Sequence, residues 1–248
     1  MSVVQMFSAT LPLSSEPVPR KGLKDIWNAH MAKGATFKAY DIPFCPTTAK
    51  VLPDAIITWD EAVAIHRKQK KTNPYYHYNG FVCFYMDDYK FDGSRGIWHN
   101  YMYTLEVLKH FDGAITPDFS TCQDFPEALK IYQTYRMRLF GYWLGKNGVA
   151  VINNVRWGTP ESWRYCFIGI PTESIVAVGT VGGSPRKFID RERFESGLYI
   201  MVELLHPHTI LVYGSSNYPC FDRLREMGIT IIGFPSRTSL AFEKRCGE

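Results

Sequence analysis

The sequence predicts an α/β protein with a mostly parallel sheet of six to seven strands joined by βαβ connections. An incomplete or irregular β/α barrel fits better than an open doubly wound sheet. Five stretches carry this reading: FDGAITPDFS (Phe111 to Ser120), GVAVINNVRWG (Gly148 to Gly158), SIVAVGTVGG (Ser174 to Gly183), TILVYGSS (Thr209 to Ser216) and ITIIGFPS (Ile229 to Ser236). Each is a β-branched apolar run closed by polar, glycine or aromatic residues. Runs without polar alternation suit strands buried on both faces, as in parallel sheets. Helix signals fall between them at intervals of roughly 20 to 40 residues, the rhythm of βαβ units. Polar clusters end nearly every run rather than marking one switch point, which favours the barrel-like arrangement.

The elements follow in order. Residues 1 to 36 read as an N-terminal arm, rich in Ser and Pro at its start, with a short helix allowed from Gly22 to Lys33; residues 37 to 248 read as one α/β domain. YDIPFCPTTAKVLPDAIITW holds Pro43, Pro46 and Pro53 and predicts an extended, turn-rich path ending in a weak strand, Ala55 to Ile57. Thr58 and Glu61 have capping-box spacing and open a helix that Asn73-Pro74 ends. Further strands are expected at Phe81 to Met86, Gly113 to Thr116, Val149 to Asn153, Ile175 to Gly179, Ile210 to Tyr213 and Ile229 to Phe234. Helices are expected over Tyr101 to His110, Pro126 to Lys146 with Asp124 and Glu127 at capping spacing, from Thr159-Pro160, over Asp190 to Leu205, and over Pro219 to Met227 before Gly228.

Bulk properties narrow the function classes. A chain of 248 residues that is 46% apolar can bury a substantial core, and a net charge of +4 permits an anionic ligand without the imbalance of a nucleic-acid coat protein. The basic cluster Arg67, Lys68, Lys70 and Lys71 reads as a solvated helix face. The six cysteines form no Cys-x-x-Cys pair, which disfavours a zinc ribbon or redox motif. No signal-peptide pattern or membrane-span run occurs, so the expectation is a soluble protein of a reducing cytoplasm, with no membrane partner.

The richest cluster is INNVRWG. Asn153 and Asn154 offer amides, Arg156 a guanidinium and Trp157 a flat wall, a set that could hold a carboxylate, a phosphate or a stacked base. The competing reading makes Arg156 a loop brace and Trp157 core. Asp118 in TPDFS is the catalytic candidate, as general base, metal ligand or partner of Arg156, with Ser120 placed to bond it; capping is the plainer alternative. Asp87, Asp88 and Asp92 could hold Mg²⁺ beside a phosphate, or form an exposed acidic turn. In GTVGGSPRK, Gly179, Gly182 and Gly183 could bring backbone N–H groups to an anion, with Thr180 among them and Arg186 and Lys187 finishing the neutralisation, or form a flexible loop; the spacing matches neither the Walker nor the dinucleotide pattern. Tyr213 and Ser215 end a further strand, where Ser215 needs an adjacent base to act as a nucleophile, and no G-x-S-x-G elbow is present. His206 and His208 precede that strand and so fall at the opposite edge of the sheet.

The ordered set PDFS, YQTYRMRLFGYWL, NVRWG, IVAVGT and VYGS, within Tyr40 to Ser236, resembles an uncharacterised domain family of bacteria, phages and mobile elements. The resemblance implies a phage or mobile-element context and carries no catalytic residues. With the site residues it yields two expectations. The first is an enzyme, a hydrolase or transferase working at a phosphate or glycosidic centre of a nucleotide or nucleic acid. The second is a non-catalytic protein binding nucleic acid, a signalling nucleotide or a host protein, such as a replication accessory or an antagonist of host defence.

Overall fold

The structure, a computed structural model, describes residues 24–181 and 188–240. Seven strands run β1 (Ile56–Thr58), β2 (Tyr78–Cys83), β3 (Phe111–Ile115), β4 (Val151–Asn154), β5 (Ile175–Gly179), β6 (Thr209–Tyr213) and β7 (Thr230–Phe234). They pair in sequence order, every pair parallel, in one curled half-barrel sheet. The connecting helices are α1 (Trp59–Gln69), α2 (Tyr101–Leu108), α3 (Glu127–Lys146), α4 (Trp163–Cys166), α5 (Phe188–Leu205) and α6 (Pro219–Glu226).

Side-chain alternation along the strands shows why the sheet curls rather than lying open between two helical layers. Val82, Ala114, Val151, Val176, Val178, Ile210 and Val212 pack in clusters that also contain helix residues such as Leu105, Leu139, Leu198 and Phe221. Their strand neighbours Phe81, Cys83, Ile115, Ile152, Ala177, Leu211 and Phe234 pack with one another and with Tyr85 and Tyr213, with no helix residue among them. Helices therefore cover one face only, and the other face must bury itself by curling inward. The ring of Tyr85, just past β2, stacks on that of Tyr213 at the end of β6, with centroids 5.3 Å apart. β1 and β7 each keep one unpaired edge. Arg237, beyond β7, reaches α1 with a 2.7 Å ion pair to Asp60 and a longer contact to Glu61.

Several boundaries move, each for a local reason. β2 starts at Tyr78 rather than Phe81, because the Tyr78 N–H already bonds the carbonyl of His110; the polar Asn79-Gly80 pair conceals this in the sequence. It ends at Cys83, before Tyr85 turns inward. Of the helix expected over Gly22 to Lys33, the described part forms only a 3₁₀ turn, Ala29–Ala32, since Asn28 sits in the left-handed region at φ 58°. Met31 and Ala32 of that turn are fully buried in the core. The Thr58–Glu61 capping box is present. The capping expected of Asp124 and Glu127 is not, because α3 opens after Pro126 without a side-chain cap and Glu127 pairs instead with Arg164.

The lower part of β4 is braced by the chain just before β1. Thr48 exchanges hydrogen bonds with Val151, donating its N–H to the Val151 carbonyl at 3.0 Å and accepting the Val151 N–H on Oγ1 at 2.9 Å. β4 consequently meets β5 only through Asn153 and Asn154, and these residues stand at the carboxyl edge where the site lies. Among the described residues, no helix is long and apolar enough to cross a membrane.

Candidate functional site

A cleft opens at the carboxyl edge between β4 and β5. Its walls are Asp118, Gln123, Asn154 to Thr159, Val178, Gly179 and, from α5, Asp190, Arg193 and Phe194. The strand ends and the first turns of α5 thus bring two acids, two guanidiniums and two aromatic rings to one opening.

At its floor runs a chain of hydrogen bonds. The Tyr85 hydroxyl donates to Oδ1 of Asn154 at 3.0 Å, the Asn154 amide donates to Oδ1 of Asp118 at 2.8 Å, and Arg156 Nη1 donates to Oδ2 of Asp118 at 2.7 Å. The chain has one sense only. Asp118 accepts, so Asn154 must present its NH₂ to it and its carbonyl to Tyr85. Burial pushes the Tyr85 phenol well above its ordinary range, so it stays a donor. The Asp118 carboxylate holds the Arg156 guanidinium above its ordinary range, which keeps the cation charged. Arg156 is 27% exposed, and its Nε and Nη2 make no hydrogen bond among the described residues. One edge of the guanidinium is anchored, and the other engages no hydrogen-bond partner among the described residues.

Arg138 supports this floor from behind. Fully buried on α3, it donates to the carbonyls of Asn154 (3.0 Å), Cys166 (2.9 Å) and Ile168 (3.1 Å). Burial lowers its pKa to about 10, still far above neutral, so it remains a cation. The Asn154 N–H is taken by Thr116 Oγ1 at 2.8 Å. Backbone and side chain of Asn154 are both fixed.

Trp157 serves both readings of it at once. Its ring packs against Phe194 at 5.3 Å and Phe167 at 6.2 Å, and it lies so close over Gly197 of α5 that a Cβ there would overlap the indole. It nonetheless lines the cleft. On the same helix, Arg193 Nη1 donates to Gln123 Oε1 at 2.6 Å, linking α5 to the loop after β3.

Other predicted residues lie elsewhere. Asn153, one position along the strand from Asn154, is turned away from the cleft and donates to the Cys45 carbonyl at 2.9 Å. Ser120 does not bond Asp118: its N–H and hydroxyl go to Asp88 at 3.1 and 2.9 Å. Burial raises the Asp88 carboxyl above its usual range, opposed by those two bonds. Asp87 pairs with Lys90 and Asp92 with Arg136, so the acidic run is dispersed to three partners, and among the described residues no group of three His, Cys, Asp or Glu could hold a metal ion. Thr180 ties β5 to β6 by donating to the Ser215 carbonyl at 3.1 Å. Tyr213 is buried against Tyr85, and Ser215 is exposed with its Oγ accepting the Asn217 N–H and bonded to no base among the described residues. Gly182, Gly183, Arg186 and Lys187 lie outside the described residues.

Sequence reasoning missed Tyr85, Arg138 and the α5 residues Asp190, Arg193 and Phe194. The last three had a signal: their i, i+3, i+4 spacing puts acid, base and ring on one helix face. Tyr85 and Arg138 had none, since both act on strands distant in sequence.

Fold and site together define a β/α half-barrel protein with a charged, aromatic-walled cleft at the carboxyl edge of its sheet. The chain belongs to the family described as "Domain of unknown function (DUF4417)", whose model matches residues 35–235. It is similar to the "Gene 1 protein" of Mycobacterium phage L5, with 29% identity over 228 residues covering 87% of this chain and 94% of that one. It is similar also to the "Gene 1 protein" of Mycobacterium phage D29, with 30% identity over 202 residues covering 81% and 69%. It is a phage-type protein. No solved structure matches it significantly.

Proposed function

We propose that the protein acts on a nucleotide or nucleic acid held in the β4–β5 cleft, by hydrolysis or transfer at a phosphate or glycosidic centre. The observation that supports this is Arg156: one edge is locked to Asp118, and Nε and Nη2, beside Trp157, have no hydrogen-bond partner among the described residues. A planar cation held this way matches a phosphoryl oxygen pair, and an indole beside it suits a base. Asp118 is the acid–base candidate, because each of its oxygens accepts one hydrogen bond and retains a lone pair.

The test is calorimetric titration of nucleoside mono- and triphosphates and short oligonucleotides into wild type and Arg156→Ala, followed by product analysis with Asp118→Asn. Binding that weakens at least tenfold in Arg156→Ala supports the site, and turnover lost in Asp118→Asn at saturating ligand supports the enzyme. If no phosphate-bearing ligand binds through Arg156, the reading fails.

One observation favours a purely binding role: each Asp118 oxygen already accepts a hydrogen bond, from Asn154 and from Arg156, and so holds the guanidinium in place. Under that reading Asp118 only orients the guanidinium. Ligands then bind through Arg156 but emerge unchanged, from wild type as from Asp118→Asn.

A further inference from the structure

The cleft contains a charge that its own described architecture leaves unpaired. Asp190 lines it from the first turn of α5, is partly exposed, and makes no hydrogen bond or ion pair among the described residues. Arg193 and Phe194 follow it at i+3 and i+4, so the three share the helix face turned to the cleft. Each oxygen of the cleft's other acid, Asp118, already accepts a hydrogen bond, from Asn154 and from Arg156. The opening therefore offers guanidinium donors of Arg156 together with a carboxylate, Asp190, that no group among the described residues engages.

That combination selects against a bare anion, which Asp190 repels. It suits a ligand with a phosphoryl group for Arg156 and hydroxyl donors beside it, because a neutral hydroxyl gives a carboxylate a charge-assisted bond without bringing like charge. A nucleoside phosphate has this arrangement, with base, sugar hydroxyls and phosphate in one small molecule. An acidic side chain on the ribose hydroxyls is also the physical solution used where nucleotides bind at strand ends in other α/β folds.

We propose that Asp190 reads the ribose, so that the cleft takes ribonucleotides in preference to 2′-deoxyribonucleotides. The inference rests on the nucleotide reading above. Discrimination follows from the unpaired acceptor: a carboxylate positioned for a hydroxyl gains nothing from the deoxy analogue.

The experiment is calorimetric titration of AMP, GMP, CMP and UMP against their 2′-deoxy and 2′-O-methyl counterparts, into wild type, Asp190→Ala and Arg156→Ala, at one fixed salt concentration. The expected result is ribonucleotide binding about tenfold tighter in wild type, a preference erased in Asp190→Ala, and inorganic phosphate binding more tightly to that variant than to wild type. The 2′-O-methyl series needs no variant: it keeps the oxygen, removes the donor and should bind as weakly as the deoxy series. Equal, Arg156-dependent binding of all three sugars overturns the ribose inference and leaves the nucleotide reading standing, as does a preference that survives in Asp190→Ala. Absence of Arg156-dependent binding for every nucleotide overturns both.

Discussion

Tyr85, two residues past the end of β2, reaches Asn154 at the end of β4 and donates a 3.0 Å hydrogen bond to its side-chain oxygen. The ring can cross because Gly179 on β5 has no side chain: a Cβ there would stand 2.6 Å from the Tyr85 ring. Three strands thus fix the direction of one amide, and that amide fixes Asp118 and through it Arg156.

Tyr85→Phe removes only the hydroxyl. It leaves Asn154 Oδ1 buried without its donor, and we expect a loss of about 1–3 kcal/mol of stability. Affinity for the cleft ligand should fall with it, since Asn154 then loses the bond that holds its amide in place against Asp118. Urea denaturation and ligand titration on the same variant check both effects. Unchanged stability and affinity would mean that the hydrogen-bond chain does not order the site.

Gly179→Ala and Gly197→Ala test close approach at the two ring contacts. The first forces Tyr85 out of the curl, and the second pushes Trp157 off α5. Overpacking of this kind costs about 1–3 kcal/mol. Both variants should melt lower than wild type. Because each displaced ring belongs to or supports the cleft, ligand affinity should drop more than it does for an equally destabilising substitution remote from the site.

Arg138→Met keeps much of the side-chain bulk but strands the carbonyls of Asn154, Cys166 and Ile168. At about 1 kcal/mol per lost bond, a loss of roughly 3 kcal/mol is expected in chemical denaturation. A variant as stable as wild type would show that burying this cation costs as much as its three bonds return.

Stability should fall as the pH drops from 7.5 towards 5. His66 is buried between α1 and α2, with Nδ1 3.0 Å from the Tyr76 hydroxyl and His110 packed 5.2 Å away, centroid to centroid. Desolvation, then the nearby His110, lowers its pKa below the ordinary 6.5, while Glu106 opposes and Lys70 adds to the shift. The unfolded chain therefore takes up the proton first, so stability is full above about 6.5 and declines below it, until the folded protein also protonates. Denaturation midpoints at several pH values should show this slope in wild type and a shallower one in His66→Gln. Equal slopes would assign the acid sensitivity to other groups.

Local chemistry was enough to write the element order in the sequence. The Thr58–Glu61 capping box, the β-branched runs at Val176 and Ile210, and the proline that opens α6 each act over a few residues, so the strands and most helices are legible there. Helix ends and strand starts that depend on a distant partner were not: β2 begins where it does because Tyr78 meets His110, and Glu127 leaves its expected cap for Arg164.

The same division runs through the site. By itself the sequence pointed to Asp118, Asn154, Arg156 and Trp157 gathering at the carboxyl edge, because each lies at or just past the end of an apolar run that suits a buried strand. Tertiary structure alone decided which of two adjacent asparagines enters the cleft, that Ser120 serves Asp88 rather than Asp118, and that α5 brings Asp190 to the cleft that Arg156 lines. Those outcomes depend on strand register and on how the sheet curls. A shift of one residue exchanges the two faces of a strand, and the curl brings together side chains such as Tyr85 and Tyr213 that no local pattern relates.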